Sequence, residues 1–132
     1  MQSPLKLNLL QADSRISSKD YHDRVANGEA HVLVDVRPAH HFKIVSLPKS
    51  LNIPLPSLEA RLPEISSALK EEEERKGVGF DLNAQLYVIC RRGNDSQRAV
   101  QSMHKMGFTS ARDIVGGLES WAHDVDPNFP TY

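Results

Sequence analysis

Tyr87-Val88-Ile89-Cys90-Arg91-Arg92-Gly93-Asn94-Asp95-Ser96-Gln97-Arg98-Ala99-Val100 is the stretch that decides the fold. An apolar run with strand character ends at the only cysteine of the chain. A short polar loop with one glycine and two arginines follows, and then a segment with helical spacing begins. Strand, cysteine, loop, helix is the order that surrounds a sulfur with backbone N–H groups beside a helix N-terminus, and both features favour negative charge there. A lone cysteine at a strand end is otherwise a small core residue. Here its followers suit a surface loop, which favours a working thiolate.

Outward from this stretch the same alternation continues. Arg15-Ile16-Ser17 reads as a short edge strand, and Ser17 or Ser18 caps a helix running to about Ala26, stopped by Asn27-Gly28. His31 to Val36 is a nearly continuous apolar run, the mark of a strand buried on both faces of a parallel sheet, closed by Pro38. Ser50 to Ile53 is a shorter strand. Leu58 to about Arg75 reads as a helix, with Leu58, Leu62, Ile65 and Leu69 on one face and the run Glu71 to Glu74 as a solvated side. Gly77-Val78-Gly79 breaks it. Gln85 to Ile89 is the strand feeding Cys90, and Ser96 to Met106 the helix after the loop. Arg112 to Val115 is a last strand, Gly116-Gly117 a tight turn and Leu118 to His123 a short helix. The pattern predicts one α/β domain over residues 15–132, a mainly parallel central sheet with helices on both faces, preceded by a linker or extended arm over residues 1–14. Ligands of such sheets bind beyond the carboxyl ends of the strands, where Cys90 falls.

Composition narrows the functions. The 132 residues carry 16 basic and 17 acidic side chains, so no global field draws the chain to nucleic acid or an anionic membrane. Aromatics are 6%, too few for a base-stacking platform. No run approaches a membrane span, and the first ten residues, broken by Lys6 and Asn8, lack the pattern of a signal peptide. One cysteine forms neither an internal disulfide nor a Cys-based zinc site and fits a reducing, cytoplasmic setting.

The loop offers several sources of anion stabilisation: its own N–H groups, the dipole of the next helix, Arg91 and Arg92. Gly93 lets the chain turn back so that amides converge on sulfur. Ser96 falls where a helix cap is expected, either a cap alone or one that also contacts a bound anion, with Asp95 just ahead of it. The six histidines are scattered, and the neighbours His40 and His41 point apart on an extended chain, so neither a metal site nor a Cys-His dyad is expected. Catalysis then rests on a preformed electrostatic pocket.

Three ordered motifs resemble those of rhodanese-like domains. The first is Val32-Leu33-Val34-Asp35-Val36-Arg37 with Leu47-Pro48 and Leu51-Asn52-Ile53-Pro54. The second is the Cys90 loop. The third is Gly116-Gly117-Leu118-Glu119-Ser120-Trp121 with the closing Asn128-Phe129-Pro130-Thr131-Tyr132. Within that family the loop Cys90-Arg91-Arg92-Gly93-Asn94-Asp95-Ser96-Gln97 and the ending Phe129-Pro130-Thr131-Tyr132 are similar to the C-terminal rhodanese domain of bifunctional adenylyltransferases and sulfurtransferases of molybdenum cofactor synthesis. Plant members are nearest in wording, and the stretch from Ser3 to Leu10 resembles the link between their two halves. The resemblance implies a persulfide on Cys90, held by Arg91, Arg92, Gly93, Asn94, Asp95 and Ser96. It implies a ubiquitin-like sulfur-carrier protein as acceptor, serving molybdopterin synthesis and tRNA thiolation, and a cysteine desulfurase as donor. An adenylyltransferase domain on the same chain would hold the ATP and zinc, leaving this segment without a cofactor. One departure is Val45-Ser46-Leu47-Pro48, where many members have Gly-His-Ile-Pro.

Two other classes of function meet obstacles in the same residues. A cysteine phosphatase or arsenate reductase needs His-Cys-x5-Arg, but Ile89 precedes Cys90 and Ser96 stands at the arginine position. An inactive binding or regulatory module commonly loses its cysteine, whereas Cys90 and both arginines are present. Asp35 and Arg37 are expected to pair and fix loops around the site, and Trp121 to anchor the last helix to the core.

Overall fold

A computed structural model describes residues 7–76 and 84–132 of the chain. Five parallel strands form one sheet in the order β1-β5-β4-β2-β3: β1 Arg15–Ile16, β2 His31–Asp35, β3 Leu51–Asn52, β4 Gln85–Ile89 and β5 Arg112–Ile114. The helices are α1 Ser18–Ala26, α2 Ala39–Phe42, α3 Leu62–Lys76, α4 Asp95–Lys105 and α5 Gly117–Asp124. This is the expected α/β architecture, with β2 and β4 paired along their full length in the centre.

Strand periodicity divides the core into two faces. Leu86, Val88 and Cys90 point to the side where Ile65 of α3 and Ala99, Val100 and Met103 of α4 pack. Tyr87 and Ile89 point to the opposite side, against Tyr21 of α1 and Leu118 of α5. Helix α1 starts where Ser17 accepts a hydrogen bond from the amide of Asp20 at 3.1 Å, so Ser17 is the cap. Trp121 packs half-buried on the α1 side, edge-on to Tyr21.

Several boundaries differ from the sequence reading. Helix α3 begins at Leu62 rather than Leu58. A helix through Leu58 would need a donor at Pro63, which has none, so the chain makes a single tight turn at Leu55–Ser57 first. Leu58 is still buried in the core, reached from the turn. Helix α2 was not expected; it places His40 and His41 with ring centroids 4.4 Å apart, where an extended chain would have pointed them away from each other. The acidic run is only partly solvated: Glu72 pairs with Arg75 at 2.9 Å and Glu73 accepts from the amide of Ala84 at 3.0 Å. The break at Gly77-Val78-Gly79 lies outside the described residues. Among the described residues no helix is long and apolar enough to cross a membrane.

Candidate active site

Strand β4 ends at Ile89, and residues 90–94 turn directly into α4 at the carboxyl end of the sheet. The amides of Gly93 and Ser96 donate to Cys90 Sγ at 3.1 and 3.3 Å. Their convergence depends on Gly93, whose φ of 89° suits glycine and where a Cβ would lie 2.6 Å from the amide nitrogen of Gly116. The loop does not lift the thiol into solvent as a surface reading expects. Cys90 is 4% exposed, and its sulfur sits among backbone dipoles at the edge of the core.

Ser96 is not the helix cap. The carbonyl of Asn94 accepts the first helical bonds, from Gln97 and Arg98, so α4 begins at Asp95 and Ser96 lies inside its first turn. Its hydroxyl instead lies 3.4 Å from Cys90 Sγ and donates to Asp113 Oδ2 at 2.8 Å. Asp113 is fully buried on β5 and is gripped by Arg15 of β1 through Nε and Nη2 at 2.8 and 3.0 Å. Arg15 Nη2 also reaches the Gly93 carbonyl at 3.3 Å. A closed circuit therefore runs from the sulfur through Ser96, Asp113 and Arg15 back to the loop. Sequence reading missed Arg15 and Asp113; the only signal was a charged residue inside each of two short strands.

The other loop residues spread outward. Asn94 Oδ1 accepts from the amide of Leu7 at 3.2 Å. Asp95 pairs with Arg98 at 2.6 Å, both half-exposed. Arg92 pairs with Glu119 at 2.6 Å, also in solvent, which spends part of the positive potential expected from it. Arg91 lies over the ring of Tyr132. Arg91, Arg92, Leu118, Glu119, Pro130, Thr131 and Tyr132 surround a shallow hollow of about 380 Å³ beside the loop.

Two supports hold the loop from behind. The amides of Leu118 and Glu119 donate to the carbonyls of Cys90 and Arg91 at 3.0 Å each, so the N-terminus of α5 abuts the loop. Gly117 permits that approach, since a Cβ there would collide with the Cys90 carbonyl. On the other side Asp35 and Arg37 form the expected pair, fully buried, with Nη2 to Oδ2 at 2.6 Å. Arg37 further donates to the Val45 carbonyl at 2.7 Å and the Tyr132 hydroxyl at 2.8 Å. Ser46 is not among these partners; the backbone of Val45 does the anchoring. Among the described residues no three His, Cys, Asp or Glu side chains gather as a metal site would require. The ring of His41 meets Tyr132 rather than the sulfur, and burial, His40 and the nearby guanidinium groups of Arg37 and Arg91 lower its affinity for a proton.

A buried thiol facing two convergent amides at a helix N-terminus, on a parallel sheet, defines a cysteine-loop α/β domain. The rhodanese-like domain family matches residues 17–124, and the chain belongs to it. Among known proteins it is similar to the adenylyltransferase and sulfurtransferase MOCS3 of Arabidopsis thaliana, 60% identical over 96% of this chain and 27% of that protein. The adenylyltransferase and sulfurtransferase UBA4 of Candida albicans is 37% identical over 89% of this chain and 25% of its own length. The chain thus spans about a quarter of the length of the curated relatives it matches. In fold it resembles the human single-domain sulfurtransferase TSTD1, with a TM-score of 0.65 at 23% identity, covering 84% of this chain and 96% of that one. A rhodanese-related protein of Thermoplasma volcanium superposes with a TM-score of 0.59 at 26% identity, over 88% and 94% of the two chains.

Proposed function

We propose that this domain carries sulfur as a persulfide on Cys90 and delivers it to the activated C-terminus of a ubiquitin-like sulfur-carrier protein. The observation that carries the reading is the pair of amides from Gly93 and Ser96 aimed at Cys90 Sγ. Such donors stabilise a sulfur anion before and after transfer without any reorganisation of the loop.

In the first step the Cys90 thiolate attacks the outer sulfur of a donor persulfide. A new S–S bond forms, the donor's own S–S bond breaks, and its electron pair leaves on the donor thiolate. In the second step the outer sulfur of Cys90-S-S⁻ attacks the carrier's acyl-adenylate carbonyl and AMP departs. The product is an acyl disulfide. An external thiolate then attacks the Cys90 sulfur, the S–S bond breaks and the carrier leaves as a thiocarboxylate. A second external thiol reduces the mixed disulfide left on Cys90, since the chain has no other cysteine.

Activation of the carrier belongs to an adenylyltransferase domain, where ATP and zinc would act; the names of the relatives pair that activity with sulfur transfer. Residues 1–14 would join the two, and a cysteine desulfurase would supply the sulfur in a cytoplasmic setting. Molybdopterin synthesis and tRNA thiolation are the processes such a carrier would feed.

The test is mass spectrometry after incubation with a cysteine desulfurase and cysteine. One added sulfur atom on Cys90, transferred onward to an adenylated carrier, is expected. Cys90→Ala should retain the fold and lose both signals; transfer persisting in that variant ends the persulfide reading.

A further inference from the structure

The arm ahead of β1 is not a passive lead. Leu7 and Leu9 meet the side chain of Gln97, which lies in the first turn of α4 and is 1% exposed. Gln97 Nε2 donates to the Leu7 carbonyl at 2.9 Å, and Oε1 accepts from the Leu9 amide at 2.9 Å. These flank Asn8 as the carbonyl and amide of a parallel strand partner would, so the Gln97 side chain serves the arm as one peptide group of a ladder. Asn94 Oδ1 adds a third contact, from the Leu7 amide at 3.2 Å.

The same Nε2 also donates to the Gly93 carbonyl at 2.7 Å. Gly93 is the residue whose amide points at the sulfur. One buried amide group therefore touches both the arm and the pivot of the loop, with both of its donor hydrogens engaged and its oxygen occupied by the arm. If the arm leaves, Gln97 loses the partners of one donor hydrogen and of its oxygen, and the side chain is free to reorient toward water. Gly93 then loses a bond that fixes the loop.

We propose that Gln97 is a positioning residue of the sulfur site, through which the arm at Leu7 and Leu9 braces the Cys90 loop. The arm is then a working part of the site, and displacement of the chain upstream of it is felt at the sulfur. Recognition is through main-chain groups, so a loss of the Leu9 amide disrupts the brace while leaving the core untouched; the Leu9 side chain is 40% exposed. The inference rests on the sulfurtransferase reading only for its consequence, since the brace itself acts on the thiol.

Three variants of the full chain test it: Gln97→Ala, Leu9→Pro, which deletes the amide hydrogen, and the two combined. Measured on each are the pH profile of Cys90 alkylation by iodoacetamide, the rate of sulfur uptake and the melting temperature. Each single variant should move the alkylation profile to higher pH and slow sulfur uptake on the order of 10-fold, as a misaimed loop does. The double variant should match Gln97→Ala, because the two changes break one linkage. Leu9→Pro with the wild-type profile overturns the proposal, as do effects of the two changes that multiply. Loss of both rates in proportion to unfolding overturns it too. If wild-type Cys90 takes up no sulfur from any donor, the transfer reading fails while the alkylation comparison still decides the brace.

Discussion

The guanidinium of Arg91 lies over the ring of Tyr132, its carbon 4.4 Å from the ring centroid, while the phenol oxygen of Tyr132 accepts from Arg37 at 2.8 Å. One aromatic side chain thus connects Arg91, the residue after Cys90, to the buried Asp35–Arg37 pair. A cation on an aromatic face gains about 0.5 to 2 kcal/mol depending on how dry the site is. It also confines a long side chain that otherwise sweeps a wide volume.

Tyr132→Ala is therefore expected to lower sulfur transfer several-fold by freeing Arg91, with a small change in melting temperature. Tyr132→Phe, which keeps the ring and loses only the bond to Arg37, should retain most of the activity. Arg91→Ala should slow the reaction with thiosulfate more than Arg92→Ala does, because Arg92 is already paired with Glu119 in solvent. Steady-state rates for these variants check the order; equal losses for the two arginines refute it.

The circuit through Asp113 gives a stability prediction. Removing one member of a buried, hydrogen-bonded ion pair strands the other and costs about 3 to 5 kcal/mol. Arg15 is 16% exposed at its side chain, so the figure for Asp113→Ala should fall near the lower end, about 3 kcal/mol. Chemical denaturation measures this. The same variant releases the Ser96 hydroxyl from its acceptor, so sulfur uptake should change even at temperatures where the variant is fully folded.

Gly117→Ala should be more damaging to function than a single methyl suggests. Its φ is 56° and its added Cβ would press on the Cys90 carbonyl and on Arg91. The loop must move away from α5 or α5 must withdraw. Either way the amides of Leu118 and Glu119 lose their carbonyls. A fall of at least 10-fold in turnover is expected from misplacement on this scale, and activity within twofold of wild type would show that the loop has room to spare.

How much of this was legible beforehand follows from the kind of signal each feature leaves. The stretches Val32 to Val34 and Leu86 to Ile89 are apolar without a break because both faces of a central parallel strand are buried, and both were readable. Cys90 stood out through its position between such a run and a polar loop. The pair of Asp35 and Arg37 was readable as two charges at the end of a buried strand. Helix α2 was not, because four residues hold no period. The role of Ser96 was misread because Asn94 and Ser96 both have capping side chains, and the choice between them lies in Asp113, which is 17 positions away. Arg15 and Leu7 join the site through contacts across 78 to 98 positions, for which a sequence offers no local pattern, and Gln97, four positions from Gly93, shows its link to the arm only through Leu7, 90 positions away.

The last expectation concerns the choice of sulfur donor. Asp95 opens α4 beside the site, and its carboxylate is held at 2.6 Å by Arg98. A small dianion such as thiosulfate must bring its charge close to that carboxylate to reach Cys90. Like charges about 5 Å apart cost on the order of 1 to 3 kcal/mol at an effective dielectric between about 80 and 20. Arg98 offsets part of this, but both partners are half-exposed and screened, so a net penalty remains. A protein-bound persulfide presents a single buried sulfur and escapes most of it. Asp95→Thr removes the carboxylate and also frees Arg98, and both changes make the approach more positive. Thiosulfate turnover should then rise on the order of 10-fold, while transfer from a desulfurase persulfide should stay level or fall. Side-by-side rates with the two donors make the check. If Asp95→Thr leaves thiosulfate turnover unchanged or lower, Asp95 serves only to start the helix, and discrimination between donors must come from the walls of the hollow around Arg91 and Tyr132.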